Sequence, residues 1–168
     1  LIDNVFDDCL ALGVNLVNEA PADLVVSADP TQLYRALFNL VKNAVEALSP
    51  ADEDGAPRAR EGAAVIVRAR QENDAAAIDI VDNGPGLPQA AIDSLFEPFK
   101  GSLKPGGSGL GAAIALEIAR AHHGSLSLVK SDAGGATFRL TLPAPPDQKA
   151  PTPLSGSRGS AAPRSVPS

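Results

Sequence analysis

Two stretches of this chain alternate apolar and outward-facing residues and leave no room for a helix between their strands. In AAVIVRARQENDAAAIDIVD, Val65, Val67 and Ala69 oppose Ile66, Arg68 and Arg70, and Ile78 and Ile80 oppose Asp79 and Val81. The arrangement returns later, where Leu126 and Leu128 are followed, across a Gly134-Gly135 turn, by Phe138, Leu140 and Leu142. A period of two is the signature of half-buried strands. Strands that arrive as direct neighbours lack the crossovers of a doubly wound parallel sheet. The one-sided patterns predict an α/β (α+β) two-layer sandwich: a mixed, mostly antiparallel sheet with helices on one face.

The helices follow from a different period. Ile2 to Leu12 has helical spacing, and Asp29-Pro30 opens a longer helix predicted over 30–48. There Asp29 can cap, Pro30 suits the first turn, and Leu33, Leu37, Leu40, Val41, Ala44 and Leu48 form the apolar stripe. Val14–Leu16 and Leu24–Val26 are short strand candidates, and 51–62 reads as a polar loop. A short helix fits 88–95, and another runs from the glycine-rich stretch 101–111 to about Ala121.

From Pro143 onward prolines alternate with Ala, Ser and Gly, a composition that cannot bury enough apolar surface to offset chain entropy. The expected organisation is one folded domain over 1–142 and a disordered tail over 143–168. The tail carries Lys149, Arg158 and Arg164 against Asp147, so the formal charge of −6 becomes −8 for the folded part. An acidic domain without a basic stripe is a poor ligand for phosphate backbones, which excludes nucleic acid as the expected partner. A single cysteine, Cys9, rules out an internal disulfide, and its place in the series Ile2, Val5, Phe6, Cys9, Leu10 predicts core packing. No apolar run approaches membrane-spanning length and no signal-peptide pattern opens the chain. A first residue other than Met, in mid-helix pattern, predicts a piece of a longer protein.

Chemistry has three candidate places. Asn39, Asn43 and Glu46, at i, i+4 and i+7, share one helical face. That spacing favours a solvated polar face, but amide oxygens in adjacent turns also suit a hard cation that keeps several waters. The string VDNGPGLP sets Asp82 at the tip of a strand, before Gly84 and Gly86. It is either an ordinary turn or a pocket floor, in which the carboxylate accepts from an exocyclic amine and the glycines admit a flat ring. In KPGGSGLGAAIAL, Gly106, Gly107, Gly109 and Gly111 run into a helix, with Lys104 nearby. That stretch is either a linker or an anion cradle of free backbone N–H groups. It lacks the Gly-Lys-Ser/Thr of a phosphate-binding loop and the strand-glycine-helix unit of a dinucleotide fold. His122 and His123 are adjacent, cannot share a metal, and read as helix-end residues.

The order of these pieces is more specific than any one of them. An N-x-x-x-N helix, D-x-G-x-G after a strand, Leu95-Phe96-Glu97-Pro98-Phe99, then G-x-G-L-G opening a helix, and finally GGATFRLTLP, resemble the catalytic, ATP-binding domain of sensor histidine kinases. That domain belongs to the GHKL superfamily, and the resemblance covers residues 1–142. It implies a Bergerat-type ATP-binding fold with ATP and Mg²⁺ as cofactors. By this resemblance Asp82 reads the adenine amine, Gly84 and Gly86 open the pocket, and Thr137 approaches the adenine side. Asn43 is the metal ligand and Asn39 a phosphate or metal-water contact. Gly107, Gly109, Leu110 and Gly111 lie beside the phosphates. Residues 97–108 form a mobile lid anchored by Phe96 and Phe99, with Lys104 reaching a phosphate.

The function implied is phosphoryl transfer to a histidine on an upstream dimerisation hairpin, which this chain lacks. The implied partners are that phosphoacceptor domain and a response-regulator receiver domain. The resemblance further implies a homodimeric full-length protein and a cytoplasmic domain, with a membrane anchor elsewhere left open. Two departures stand out. Glu46 replaces the Lys that many members carry, leaving Lys42 or Lys104 to compensate, and His122 and His123 do not match the phosphoacceptor. The alternatives are a GHKL-type ATPase, whose E-x-x-x-N motif would need Glu at Asn39, and a non-catalytic docking module for a response regulator.

Overall fold

The computed structural model describes residues 12–51, 55–99 and 109–145. The predicted helix from Ile2, the core placement of Cys9, Lys104, Gly107, most of the proposed lid and nearly all of the tail lie outside the described residues.

The described chain runs β1 (Asn15–Asn18), α1 (Pro30–Leu48), β2 (Ala64–Glu72), β3 (Ala75–Asp82), α2 (Gln89–Asp93), α3 (Gly111–Ala121), β4 (Ser125–Asp132) and β5 (Gly135–Pro143). The five strands form one sheet in the order β1-β2-β3-β5-β4. Only β1–β2 is parallel; the other three pairings are antiparallel. The sheet is therefore mixed and mostly antiparallel, as the alternation predicts.

Register turns that alternation into a face. Val67 lies opposite Ile80, and Ile80 opposite Phe138. Ile78 lies opposite Leu140, which in turn faces Leu126. These side chains meet Leu37, Leu40, Val41, Ala44, Val45 and Leu48 of α1 and Ala112, Ala115, Ile118 and Ala119 of α3 in one core. Leu40, Val65, Ile80, Ala115 and Leu140 are fully shielded from water. Each of the leucine, valine and isoleucine side chains among them contributes about 1.5–3 kcal/mol by burial, before chain entropy is counted. α1 begins where expected, with Pro30 in its first turn and Asp29 accepting from Gln32 N at 2.8 Å.

Leu24–Val26 is not a strand. Both neighbours of β5 are taken, by β3 and β4, so only its terminal Pro143 carbonyl receives a bond from this segment, from Ser27 N at 2.9 Å. Val25 is left half-exposed. A three-residue apolar run that ends beside an interior strand has no ladder to join there.

Asp79 sits on the face away from the helices, yet it is 6% exposed. Arg139 donates to it in a bidentate fork, Nε to Oδ1 at 2.7 Å and Nη2 to Oδ2 at 2.9 Å, and Arg70 Nη1 donates to Oδ2 at 2.8 Å. Burial alone would raise this carboxyl. The two guanidiniums outweigh it and hold Asp79 below its ordinary 3.8. A depressed folded value stabilises above the unfolded value and loses that contribution as pH falls through the folded one. We expect Asp79→Asn to cost about 1–3 kcal/mol at pH 7, at the lower end because the arginines stay partly solvated. The gap from wild type should stay constant down to about pH 5 and close below about pH 4. Urea denaturation across that range checks it; a gap that widens in acid contradicts the pairing.

Candidate functional site

Pleat parity carries Asp82 to the helix side of the sheet, in line with Ile80 and Ile78 at the end of β3. Its Oδ1 accepts from Gly84 N at 2.8 Å and Ala136 N at 3.2 Å. Oδ2 takes no hydrogen bond from the described residues, so one acceptor of a 6% exposed carboxylate is left for something else. Burial pushes this carboxyl above its ordinary value, and the two backbone donors only partly offset it. A buried acid with half its acceptor capacity unspent has the character of a recognition group.

The loop after Asp82 is fastened on both sides. Asn83 Oδ1 accepts from Ala64 N at 3.0 Å and its Nδ2 donates to Gly62 O at 2.9 Å. Leu87 N donates to Ser131 Oγ at 2.7 Å. Gly86 has φ +73°, and a Cβ there would stand 2.4 Å from Asp132 O on the β4–β5 turn. The space it vacates is therefore used by that turn. At Gly84 a Cβ would lie 2.9 Å from Asp82 Oδ1 and 3.5 Å from Leu48 Cδ2, at the end of α1. The missing side chain lets the carboxylate and the helix end approach.

The paired amides are on α1. Asn39 Nδ2 donates to Arg35 O of the preceding turn at 2.7 Å. Asn43 faces the start of α3 so closely that a Cβ on Gly111 would fall 2.7 Å from its Oδ1. Asn39, Asn43 and Glu46 are all half-buried, so the face is not simply solvated. Leu110, the N-cap of α3, supplies no side-chain cap, and the first turn of that helix carries no acid. Its leading N–H groups suit an anion. Glu46 lies 3.9 Å from Lys42 Nζ, so the one lysine on this part of α1 leans toward Glu46.

These contacts share one support. Gly84 touches Leu48 and Gly111 touches Asn43, five residues earlier on α1, about 7.5 Å along the axis. The strand-tip carboxylate, the helix amide and the glycine-opened helix start thus border the C-terminal half of α1 together. Gly109 and Leu110 lead directly into that helix start.

Thr137 stands apart from Asp82. It pairs with Val81 and lies on the sheet face opposite to Asp82, so its side chain does not reach the carboxylate. The β5 residue at Asp82 is Ala136, acting through its backbone N–H. A main-chain donor leaves no side-chain signature, although the parity of Phe138, Leu140 and Leu142 already implied that Ala136 faces inward.

Comparisons with known proteins point one way. Residues 28–146 match the family described as Histidine kinase-, DNA gyrase B-, and HSP90-like ATPase. The C4-dicarboxylate transport sensor protein DctS of Rhodobacter capsulatus is 38% identical over 120 residues, which is 71% of this chain and 17% of that protein. Sensory histidine kinase/phosphatase NtrB of Salmonella typhimurium is 36% identical over 115 residues, 68% of this chain and 32% of the relative. The chain therefore spans a third or less of these relatives. Among solved structures, a mycobacterial sensor histidine kinase, MprB, aligns with TM-score 0.65 and 28% identity over 84% of this chain and 91% of that one. The catalytic domain of histidine kinase ThkA aligns with TM-score 0.69 at 24% identity, covering 84% of this chain and 86% of its own, a likeness of fold.

Proposed function

Because the chain belongs to the histidine kinase-, DNA gyrase B-, and HSP90-like ATPase family, as an ATP-binding domain of sensor histidine kinase type, we propose that it binds ATP with Mg²⁺ and presents the γ-phosphoryl group to a histidine. That histidine would sit on a dimerisation hairpin elsewhere in a longer protein. The observation that carries this reading is the grouping of Asp82, Asn43 and the α3 start around the C-terminal half of α1.

Each residue has a chemical task. Asp82 Oδ2 accepts from the adenine exocyclic amine. The α3 N-terminus, with Gly109, Leu110 and Gly111, faces the phosphates, and Asn39 contacts a phosphate or a metal-bound water. Asn43 offers a neutral oxygen of the kind a hard cation uses, which fits Mg²⁺. When bound, Mg²⁺ would neutralise phosphate charge. In the transfer, the bond from the γ-phosphorus to the β-phosphate bridging oxygen breaks as a bond to the acceptor imidazole nitrogen forms, and ADP leaves. Such transfer depends on positioning and charge more than on a base. Asn39 is an amide and cannot take a proton from water, which disfavours the ATPase alternative. Lys104 and Gly107 complete the proposed phosphate contacts.

The partners proposed are the protein's own phosphoacceptor hairpin, in a homodimer, and a response-regulator receiver domain, with no role for nucleic acid. No helix among the described residues is long and apolar enough to cross a membrane; a cytoplasmic setting is part of the proposal.

This chain incubated alone with γ-³²P-ATP should acquire no stable label. Adding the phosphoacceptor hairpin of the full-length protein should yield base-stable, acid-labile phosphohistidine on the hairpin. Label on His122 or His123, or rapid phosphate release without the hairpin, would overturn the kinase reading.

A further inference from the structure

The N-cap of α1 is closed by a residue far away in sequence. Asp29 accepts from Gln32 N through its side chain at 2.8 Å, one half of a capping box. In the other half, the side chain three residues on accepts from the cap residue's own N–H. Gln32 stands at that place and could do so, yet the acceptor of Asp29 N is His122 Nε2, 3.0 Å away and 93 residues later. The second ring nitrogen, Nδ1, lies 2.8 Å from Ile118 O. A backbone N–H can only donate, so Nε2 accepts and Nδ1 carries the proton that bonds the Ile118 carbonyl. His122 is thus a neutral Nδ1–H ring joining the end of α3 to the start of α1.

The position of this joint gives it a consequence. The two helices run antiparallel: the start of α1 meets the end of α3 at His122, and Asn43 meets the start of α3 at Gly111. One end of the helix pair holds the histidine joint, and the other end holds the proposed phosphate and metal contacts. Both helices bury alanines completely, Ala36 on α1 and Ala115 and Ala119 on α3.

We propose that His122 is a positioning residue for nucleotide binding, fixing the axial register of α3 against α1 so that Asn43 and the Gly111 helix start keep their spacing. This rests on the ATP-binding reading above. The neighbouring His123 is exposed and has no corresponding partner on α1 among the described residues, so the role belongs to His122 alone.

Calorimetric titration with Mg²⁺·ADP, on the full chain as wild type, His122→Ala and His122→Gln, tests the proposal together with ¹⁵N spectra of the ring. The wild-type ring should be protonated at Nδ1 and bare at Nε2. His122→Ala should raise Kd about three- to tenfold, the range expected for losing a single hydrogen bond, and shift the Asn43 side-chain amide resonances. His122→Gln, whose Oε1 can accept from Asp29 N, should return Kd to within about twofold of wild type. An Nε2-protonated ring, an Ala variant that binds like wild type, or a Gln variant no better than Ala overturns the proposal. If His122→Ala does not fold, the Gln variant and the ring spectrum still decide it. A wild type that takes no Mg²⁺·ADP or Mg²⁺·ATP overturns the nucleotide reading and this inference together, whereas normal wild-type binding with an indifferent Ala variant overturns only the inference.

Discussion

Asp82→Asn is expected to weaken ATP binding at least about 100-fold while leaving the fold intact, corresponding to about 2.7 kcal/mol. The carboxylate uses Oδ1 for the backbone donors of Gly84 and Ala136, and Oδ2, which takes no hydrogen bond from the described residues, is the atom proposed to meet the adenine amine. An asparagine can keep its carbonyl oxygen on those two N–H groups, which leaves its NH₂ where Oδ2 was. The adenine amine then meets a donor in place of an acceptor. Losing a hydrogen bond to a charged group costs about 1.5–3 kcal/mol, and an unpaired amine facing a second donor adds to that.

The same substitution should not destabilise the protein. Burial raises the Asp82 carboxyl, so its ionised form opposes folding above that raised value, and a neutral amide removes the opposition. The thermal midpoint of Asp82→Asn at pH 7 should equal or exceed that of wild type. For wild type, acidification through the raised value should protonate Oδ2 and weaken ATP binding at a pH above the ordinary 3.8. Calorimetry and thermal melts check both halves. An affinity within threefold of wild type would remove Asp82 from the recognition role, and a lowered midpoint would contradict the account of its charge.

Gly135→Ala should be among the most damaging single changes to stability, costing about 3 kcal/mol or more. Gly135 has φ +123°, and a Cβ built on it falls 1.9 Å from Asp82 O. Neither the conformation nor the space suits an L side chain, and the atom it meets is backbone that cannot rotate away. The nearest consequence is local. Ala136 N, the next residue, would move off Asp82 Oδ1, so nucleotide binding should fall along with the melting temperature, by about 10 °C or more. Gly62→Ala is the matched comparison. Gly62 has φ +74° but nothing within 4 Å of the added Cβ, so only backbone strain of about 1–2 kcal/mol should appear. Equal midpoints for the two variants would show that the Asp82 contact has no weight.

Local patterning made much of this protein legible before any coordinates. Val65/Val67 and Ile78/Ile80 declared strands because a period of two is written in adjacent residues, and Asp29-Pro30 declared a helix start because capping acts over three positions. The spacing of Asn39 and Asn43 by itself favoured a solvated face, and a nucleotide was implied only by the family resemblance that the ordered motifs around Asn43, Asp82 and Gly111 carry. Other features were not local. Leu24–Val26 has strand composition, but whether an apolar triplet pairs depends on the strand it comes to lie beside, and β5, whose end Ser27 meets, already has β3 and β4 as neighbours. Thr137 came from the resemblance, whereas the β5 residue that meets Asp82 is its neighbour Ala136, set by the parity of β5 and acting through a main-chain N–H that every residue except proline possesses.

Residue order by itself determined the strands, the helices and the one-sided faces. These depend on contacts a few positions apart, which composition and period record directly. Tertiary structure alone decided that Asp79 is buried under Arg139, sixty residues on, and that Asp82 Oδ1 accepts from Ala136 of β5 as well as from Gly84, while Oδ2 takes no hydrogen bond from the described residues. It alone decided that His122 closes the cap of a helix begun 93 residues earlier. Those pairings join positions whose separation along the chain carries no periodic signal, so they come into being only when the sheet and the helix pair pack.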